Sequence, residues 1–119
     1  MDAITFSSLL GEAAKELFPQ ARLQISITRI TRLKARLNLS ADRYVDIFFR
    51  EETQRVDYAL IVSGERVFGL DNLGGWHCHP FGATEQHIPC AEPTPEEALK
   101  RIKQVIGLEE ELRMMQKSL

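Results

Sequence analysis

The sequence predicts an α+β fold in which an antiparallel four- to five-stranded meander sheet carries an N-terminal and a C-terminal helix packed on one face. Two segments with helical spacing of apolar residues flank a central stretch in which apolar residues recur at every second position. Only short turn signals interrupt that stretch, and such short connections join antiparallel neighbours. A length of 119 residues predicts a single domain over 1–119.

The first helix is predicted at about 5–18. Its apolar residues form one stripe, and Pro19 ends the segment. The stripe consists of Phe6, Leu9, Leu10, Ala13, Ala14 and Leu17.

The sheet is predicted at about 21–71. Four segments alternate apolar and polar residues, and a shorter fifth segment covers 65–70. Turn signals at 40–42, 51–53 and 63–64 separate these segments. Because both helices share the apolar face, the other face of the sheet is expected to be polar, rich in arginine and open.

The rest of the chain is predicted as a loop and a second helix. Residues 72–93 are rich in histidine, glycine and proline and are assigned to a loop. The sequence Thr94-Pro95-Glu96-Glu97 is a capping box that begins a helix at about 95–115. Gly107 is expected to break or bend this helix, and its charged tail is expected to project from the domain.

Composition excludes several classes of protein. The net charge of −2 gives no overall basic character, although residues 21–66 contain nine Arg/Lys against six Asp/Glu. Nucleic-acid binding would therefore depend on a local patch. The N-terminus lacks the pattern of a signal peptide and no apolar run is long enough for a membrane span, so a cytoplasmic protein without membrane contact is expected. Two cysteines do not make a disulfide framework.

The residues suited to chemistry at neutral pH are concentrated in one stretch. All three histidines, both cysteines and the only tryptophan lie at 76–90. His77 and His79 are two residues apart, which places both imidazoles on one side of an extended segment. Three interpretations stay open: an acid–base pair, a metal site that adds His87 and a cysteine, and a set of hydrogen-bonded loop residues.

The acid–base interpretation corresponds to a ribonuclease that needs no metal or other cofactor. One histidine would deprotonate a ribose 2′-hydroxyl, another would protonate the leaving oxygen, and an arginine would hold the phosphate. Asp71 would either make an Asx turn or orient a histidine. The predicted open face could supply phosphate contacts and base stacking through Arg22, Lys34, Arg36, Arg50, Tyr44 and Phe48.

Three short motifs resemble the TumE-type family of small prokaryotic toxins, the toxin halves of type II toxin–antitoxin pairs. They are the strand end Arg66-Val67-Phe68-Gly69-Leu70-Asp71-Asn72, the histidine loop His77-Cys78-His79-Pro80 with His87, and the helix start in 92–99. The resemblance covers about residues 44–106. It implies a growth-inhibiting cytoplasmic protein that acts on RNA and is neutralised by a cognate antitoxin.

The leading hypothesis is therefore a toxin-like ribonuclease. The alternatives are a non-catalytic protein- or nucleic-acid-binding module, for which a homodimer is one arrangement, and a small metal-binding domain. The candidate catalytic residues are His77, His79, His87 and Asp71, and the candidate substrate-binding residues are Arg50, Arg66, Asn72, Trp76 and Tyr44.

Overall fold

The computed structural model describes residues 1–117. Its first element is a helix whose N-terminus is capped by the side chain of the preceding residue. Helix α1 spans Ala3–Leu17, two residues earlier than predicted. The side chain of Asp2 accepts a hydrogen bond from the backbone N–H of Thr5 at 2.7 Å and so satisfies one free donor of the first turn. Phe6, Leu10, Ala13 and Ala14 of the predicted stripe are buried.

The sheet is an antiparallel meander of seven strands, each paired with its neighbours in sequence. The prediction of an α+β fold with an antiparallel sheet and two helices is confirmed, but the strand number of four or five is too low. The strands are β1 (Arg22–Thr28), β2 (Arg32–Ser40), β3 (Arg43–Arg50), β4 (Arg55–Val62), β5 (Glu65–Asp71), β6 (His77–His79) and β7 (Ile88–Pro89).

The segment 72–93, predicted as a loop, contains two short strands. Strand β6 pairs with β5, and β7 pairs with β6. The backbone N–H of Cys90 also donates to the carbonyl of Trp76 at 3.1 Å, which extends the pairing beyond β7. Strands of three and two residues are too short to show an alternation of apolar and polar residues, so the period-two signal could not reveal them.

One hydrophobic core lies between the sheet and the helices. Along β2 to β4 every second residue is buried, and directly paired residues share a face, so the buried residues of all these strands lie on one side. The same core contains the buried stripes of both helices. Tyr58, Phe49, Leu10, Leu60, Leu99 and Ile102 are among the largest fully buried side chains.

Helix α2 spans Pro95–Lys117 and closes the core. The predicted capping box is present, since the backbone N–H of Glu97 donates to the Thr94 hydroxyl and the N–H of Thr94 donates to the Glu97 carboxylate. The helix continues through Gly107 without interruption, so the predicted break is wrong. No helix within residues 1–117 is long and apolar enough to cross a membrane.

The charged end of α2 is held against the sheet, which also corrects the expected projecting tail. The guanidinium of Arg43 on β3 contacts the Glu109 carboxylate at 2.7 Å, and both side chains are almost completely buried. Arg113 bridges back to Glu109 at 2.9 Å and to Asp42 at 3.2 Å. These contacts tie the C-terminal part of the helix to the turn between β2 and β3.

Candidate functional site

Strand register brings Asp71, His77 and His79 together on the open face of the sheet. Asp71 at the end of β5 pairs with His77 on β6, and Gly69 pairs with His79. Their sequence neighbours Leu70 and Cys78 are buried in the core, so the aspartate and both histidines point to the opposite side. The imidazole of His79 packs over Gly69, where an added Cβ would contact its Cδ2 at 3.4 Å.

The carboxylate of Asp71 holds both of these imidazoles. One oxygen contacts His77 Nε2 at 3.1 Å and the other contacts His79 Nε2 at 2.9 Å. The first oxygen also accepts the backbone N–H of Leu73 at 3.1 Å, which is the predicted Asx turn. Asp71 therefore both makes the Asx turn and orients the histidines, the two roles that the sequence left open.

The ionised form of Asp71 is favoured despite burial. Burial acts to raise the pKa of this carboxyl, but the hydrogen bonds from Leu73 and His79 and the nearby His77 outweigh it and lower the pKa below 3.8. The side chain is only 8% exposed, so this charge is weakly screened by solvent.

The remaining ring nitrogens of the two histidines face backbone carbonyls. His77 Nδ1 lies 3.0 Å from the carbonyl oxygen of Gly75, and His79 Nδ1 lies 3.1 Å from that of Thr84. Arg66 Nη2 lies farther from His79 Nδ1, at 3.5 Å. Both nitrogens of each ring thus lie close to oxygen acceptors, which fixes the orientation of both rings.

The connection between β6 and β7 adds the third histidine. It crosses the open face, covers His79 through Thr84, and returns at His87. The ring centroid of His87 lies 4.5 Å from that of His79 and 4.8 Å from that of His77. His79 is buried and His77 is half-buried, whereas His87 is exposed and has no hydrogen bond to any other part of residues 1–117. The three rings form a triangle with one solvent-facing member.

Sequence reasoning missed Asp57, which joins the cluster from β4. It pairs directly with Asp71 in the register of the sheet. Burial, followed by the charge of Asp71, raises the pKa of Asp57. The pKa values of the two carboxyl groups are therefore shifted in opposite directions. Only the pairing of β4 with β5 brings Asp57 to the cluster, so no local sequence pattern could have identified it.

The fold places only some of the candidate substrate-binding residues on the face of the sheet that carries the histidines. Arg66 lies beside His79, and Arg50 lies on the same face of the sheet. Tyr44 also lies there, but its ring is covered by the Arg36 guanidinium at 3.9 Å from the ring centroid.

Asn72 and Trp76 have other partners. The Asn72 side chain accepts the N–H of Val56 at 2.9 Å and donates to the carbonyl of Gln54 at 2.8 Å, so it joins the end of β5 to the start of β4. Trp76 packs against the hydrophobic core, on the opposite side of β6 from His77. Neither side chain faces the histidine triangle.

The cysteines lie on the core side of the same strands. Cys78 is buried and its Sγ accepts a hydrogen bond from Arg101 at 3.4 Å, while Cys90 is half-buried. Both are free thiols, and burial raises the pKa of Cys90. A four-ligand metal site of three histidines and one cysteine is therefore not assembled.

A three-histidine metal site is closer to being assembled. One nitrogen from each of His77, His79 and His87 can be chosen so that all lie within 4.8 Å of one another. Nitrogen ligands bind zinc at about 2.0–2.1 Å, so the rings would have to move closer and release a carbonyl or Asp71. The ring nitrogens of His77 and His79 already have hydrogen-bond partners, which suits an acid–base cluster better than a vacant metal site.

Comparison with known proteins identifies no relative, since no protein-family model, curated protein or solved structure matches the chain.

Proposed function

We propose that this chain is a toxin-like, metal-independent ribonuclease whose reacting groups are His77 and His87. The observation that supports this most is the triangle of imidazoles, two of which share the Asp71 carboxylate on an arginine-bearing sheet face. Two adjacent imidazoles in different environments can hold a base and an acid at the same pH.

His87 is suited to the role of base. Its ring is exposed and makes no hydrogen bond within the described chain, so a nitrogen lone pair is free to take a proton. In the proposed step it removes the proton of a ribose 2′-hydroxyl, and the resulting oxygen attacks the adjacent phosphorus.

His77 is suited to the role of acid. Its ring nitrogens lie 3.1 Å from the Asp71 carboxylate and 3.0 Å from the Gly75 carbonyl, and its side chain is 14% exposed. In the proposed step the Nδ1–H of His77 leaves the Gly75 carbonyl and gives its proton to the departing 5′-oxygen as the P–O bond breaks, which leaves a 2′,3′-cyclic phosphate and a 5′-hydroxyl. The rings of His77 and His87 contact each other, so the scissile phosphate would lie over their outer edges.

Asp71 and His79 would act as positioning residues. His79 is only 4% exposed and is held between Asp71 and the Thr84 carbonyl, so it fixes the loop that carries His87. Arg66, beside His79, is within reach of a phosphate over the triangle.

The toxin role rests on the resemblance of the Arg66–Asn72 strand end, the histidine loop and the helix start to the TumE-type family. That resemblance implies a cognate antitoxin and action on cellular RNA in the cytoplasm. Expression in a bacterial host tests this role, with growth arrest by the wild type and normal growth with His77→Ala/His87→Ala as the expected result.

The chemistry is tested with purified protein, labelled RNA and excess chelator. We expect cleavage with 2′,3′-cyclic phosphate ends and no cleavage of DNA of the same sequence. His87→Ala and His77→Ala should each lower the rate by about 10²–10⁴-fold, the usual contribution of a general acid or base. Gln86→Ala, an exposed change in the same loop, is the matched control and should cleave normally. Intact RNA with folded wild-type protein would exclude the ribonuclease proposal.

Two other functions would be favoured by specific outcomes. Cleavage that stops with chelator and returns with zinc would favour a metal centre on the three histidines. A wild type without cleavage that sediments as a dimer would favour a binding module, because β1 is an edge strand with Ile25 and Ile27 about 40% exposed.

A further inference from the structure

Three arginines stand side by side across the open face of the sheet. Arg32 on β2 pairs directly with Arg50 on β3, and Arg50 pairs directly with Arg55 on β4. Directly paired residues share a face, and these three alternate with buried neighbours, so the arginine row lies opposite the core. Like charges in directly opposite positions disfavour the sheet. Ion pairs of Arg50 with Glu52 at 3.6 Å and of Arg55 with Asp57 at 3.5 Å offset part of this repulsion, and an anion bound over the row would offset more of it.

The arginine row has unused hydrogen-bond donors. The Nε atoms of Arg32, Arg50 and Arg55 are all buried, and none has a hydrogen-bond partner within residues 1–117. Nearby carboxylates do not supply one, because Glu52 lies 3.6 Å from Arg50 Nε and Asp57 reaches only Nη2 of Arg55, at 3.5 Å. Buried donors are nearly always paired in folded proteins, and a bound ion or water is one explanation for an exception.

A cavity of about 470 Å³ lies beside this row. It offers two of the guanidinium groups, a hydroxyl and an aromatic ring at one place. Its lining includes Phe48, Arg50, Thr53, Arg55 and Leu73. A phosphate group matches this set, since its oxygens accept from the planar guanidinium fork and an adjacent base can stack on an aromatic ring.

We propose that the arginine row binds a non-scissile phosphate of single-stranded RNA. This inference rests on the proposed function, since it assigns the substrate track of the same site. Asp57 lies two residues beyond Arg55 on β4, and β5 then leads to His77 on β6. With strands about 4.8 Å apart and a rise of about 3.4 Å per residue, Arg55, the member of the row nearest to the triangle, lies roughly 12 Å from His77. The row and the triangle therefore contact different phosphates of one strand.

Binding is measured separately from cleavage by fluorescence anisotropy with a labelled 2′-O-methyl RNA oligonucleotide, which lacks the reacting hydroxyl. Arg50→Gln/Arg55→Gln is expected to weaken binding at least 10-fold. The plot of log affinity against log salt should become shallower by about 0.7 for each phosphate that the variant no longer neutralises. Lys15→Gln/Lys100→Gln removes the same charge from exposed positions on the two helices and should bind as the wild type does.

Two further variants separate binding from folding and from catalysis. Arg50→Lys keeps the charge but removes the guanidinium fork, and an intermediate loss of affinity is expected. The melting temperature of the arginine variants should stay the same or rise, because like-charge repulsion is removed, whereas a structural role would lower it. His77→Ala/His87→Ala leaves the arginine row intact, so it should weaken oligonucleotide binding less than Arg50→Gln/Arg55→Gln does.

The outcomes distinguish the two proposals. Arginine-dependent binding without any cleavage by the wild type would exclude the ribonuclease and leave the phosphate site standing. Cleavage with equal oligonucleotide affinity in the wild type and Arg50→Gln/Arg55→Gln would overturn the arginine row as the RNA track. Inorganic phosphate is expected to displace the oligonucleotide only at concentrations far above that of the oligonucleotide. Displacement at equal concentrations would show a free-anion site instead and also overturn the proposal.

Discussion

Asp71→Asn tests the central geometry of the histidine cluster. The change keeps the size of the side chain but removes the charge that two imidazoles share at 2.9 and 3.1 Å. It also places an amide donor against ring nitrogens that are themselves donors. A hydrogen bond to a charged group contributes about 1.5–3 kcal/mol. With partial retention of the contact to Leu73, we expect a decrease of about 3 kcal/mol in the free energy of unfolding.

This decrease should be visible by urea unfolding and by heat. A change of about 3 kcal/mol corresponds to a fall in melting temperature of roughly 10 °C for a domain of this size. The denaturant slope should stay the same, so the midpoint alone should move. An unfolding midpoint equal to that of the wild type would refute the view that this carboxylate is the anchor of the cluster.

The pH dependence follows from the direction of the Asp71 pKa. The pKa of this carboxyl is lower in the folded protein than its ordinary value of 3.8. Its contribution to stability is therefore fully present above that value and is lost as pH falls through the folded pKa. The difference in free energy of unfolding between the wild type and Asp71→Asn should become smaller below about pH 4 and keep its full size near neutral pH.

Asp57→Asn is the matched control, because it makes the same chemical change on the neighbouring strand. Burial and the charge of Asp71 raise the pKa of Asp57, so its ionised form opposes folding as pH rises above 3.8. At neutral pH this variant should be as stable as the wild type or more stable. A destabilisation as large as that of Asp71→Asn would contradict the assignment of opposite roles to the two aspartates.

Two further changes test how α2 is held. Glu109→Gln should lower the free energy of unfolding by about 3 kcal/mol, because it leaves Arg43 without its buried partner at 2.7 Å. Glu110 also contacts Arg43, at 3.2 Å, but its side chain is half-exposed. Glu110→Gln should therefore lower the free energy of unfolding by less than about 1 kcal/mol in the same urea titration. Thr94→Ala removes the hydroxyl that caps the N–H of Glu97 and should cost about 1 kcal/mol. Equal effects of the two glutamate changes, or a Thr94→Ala protein as stable as the wild type, would contradict these assignments.

Local sequence patterns were sufficient for most of the elements. The alternation in 21–71 predicts which side of each strand is buried, and β2, β3 and β4 follow it. In β1 only Leu23 is partly buried, and β5 is buried at every position from 68 to 71. The Thr94–Glu97 capping box works through groups three residues apart, so it could be identified without tertiary information. Gly107 shows the limit of such reasoning, since packing of the α2 stripe outweighs the weak helix propensity of one glycine.

The candidate site was predicted only in part. The three histidines that cluster in the sequence also lie together in the structure, and His77 and His79 lie on one side of the sheet, as their spacing predicted. The contact of His87 with them depends on how the β6–β7 connection folds over the sheet, and nothing in its sequence specifies that path. Trp76 is one residue from His77, yet alternation sends it to the core.

What the sequence determined by itself is local: the period of each segment, the start of α2 and the identity of the candidate site residues. Only the tertiary structure decided which residues meet across strands. Arg32, Arg50 and Arg55 form no motif as separate positions, and Asp57 and Asp71 are 14 residues apart. Strand register places the arginines in one row and the aspartates face to face, because pairing is set by turns and by the burial of the opposite face.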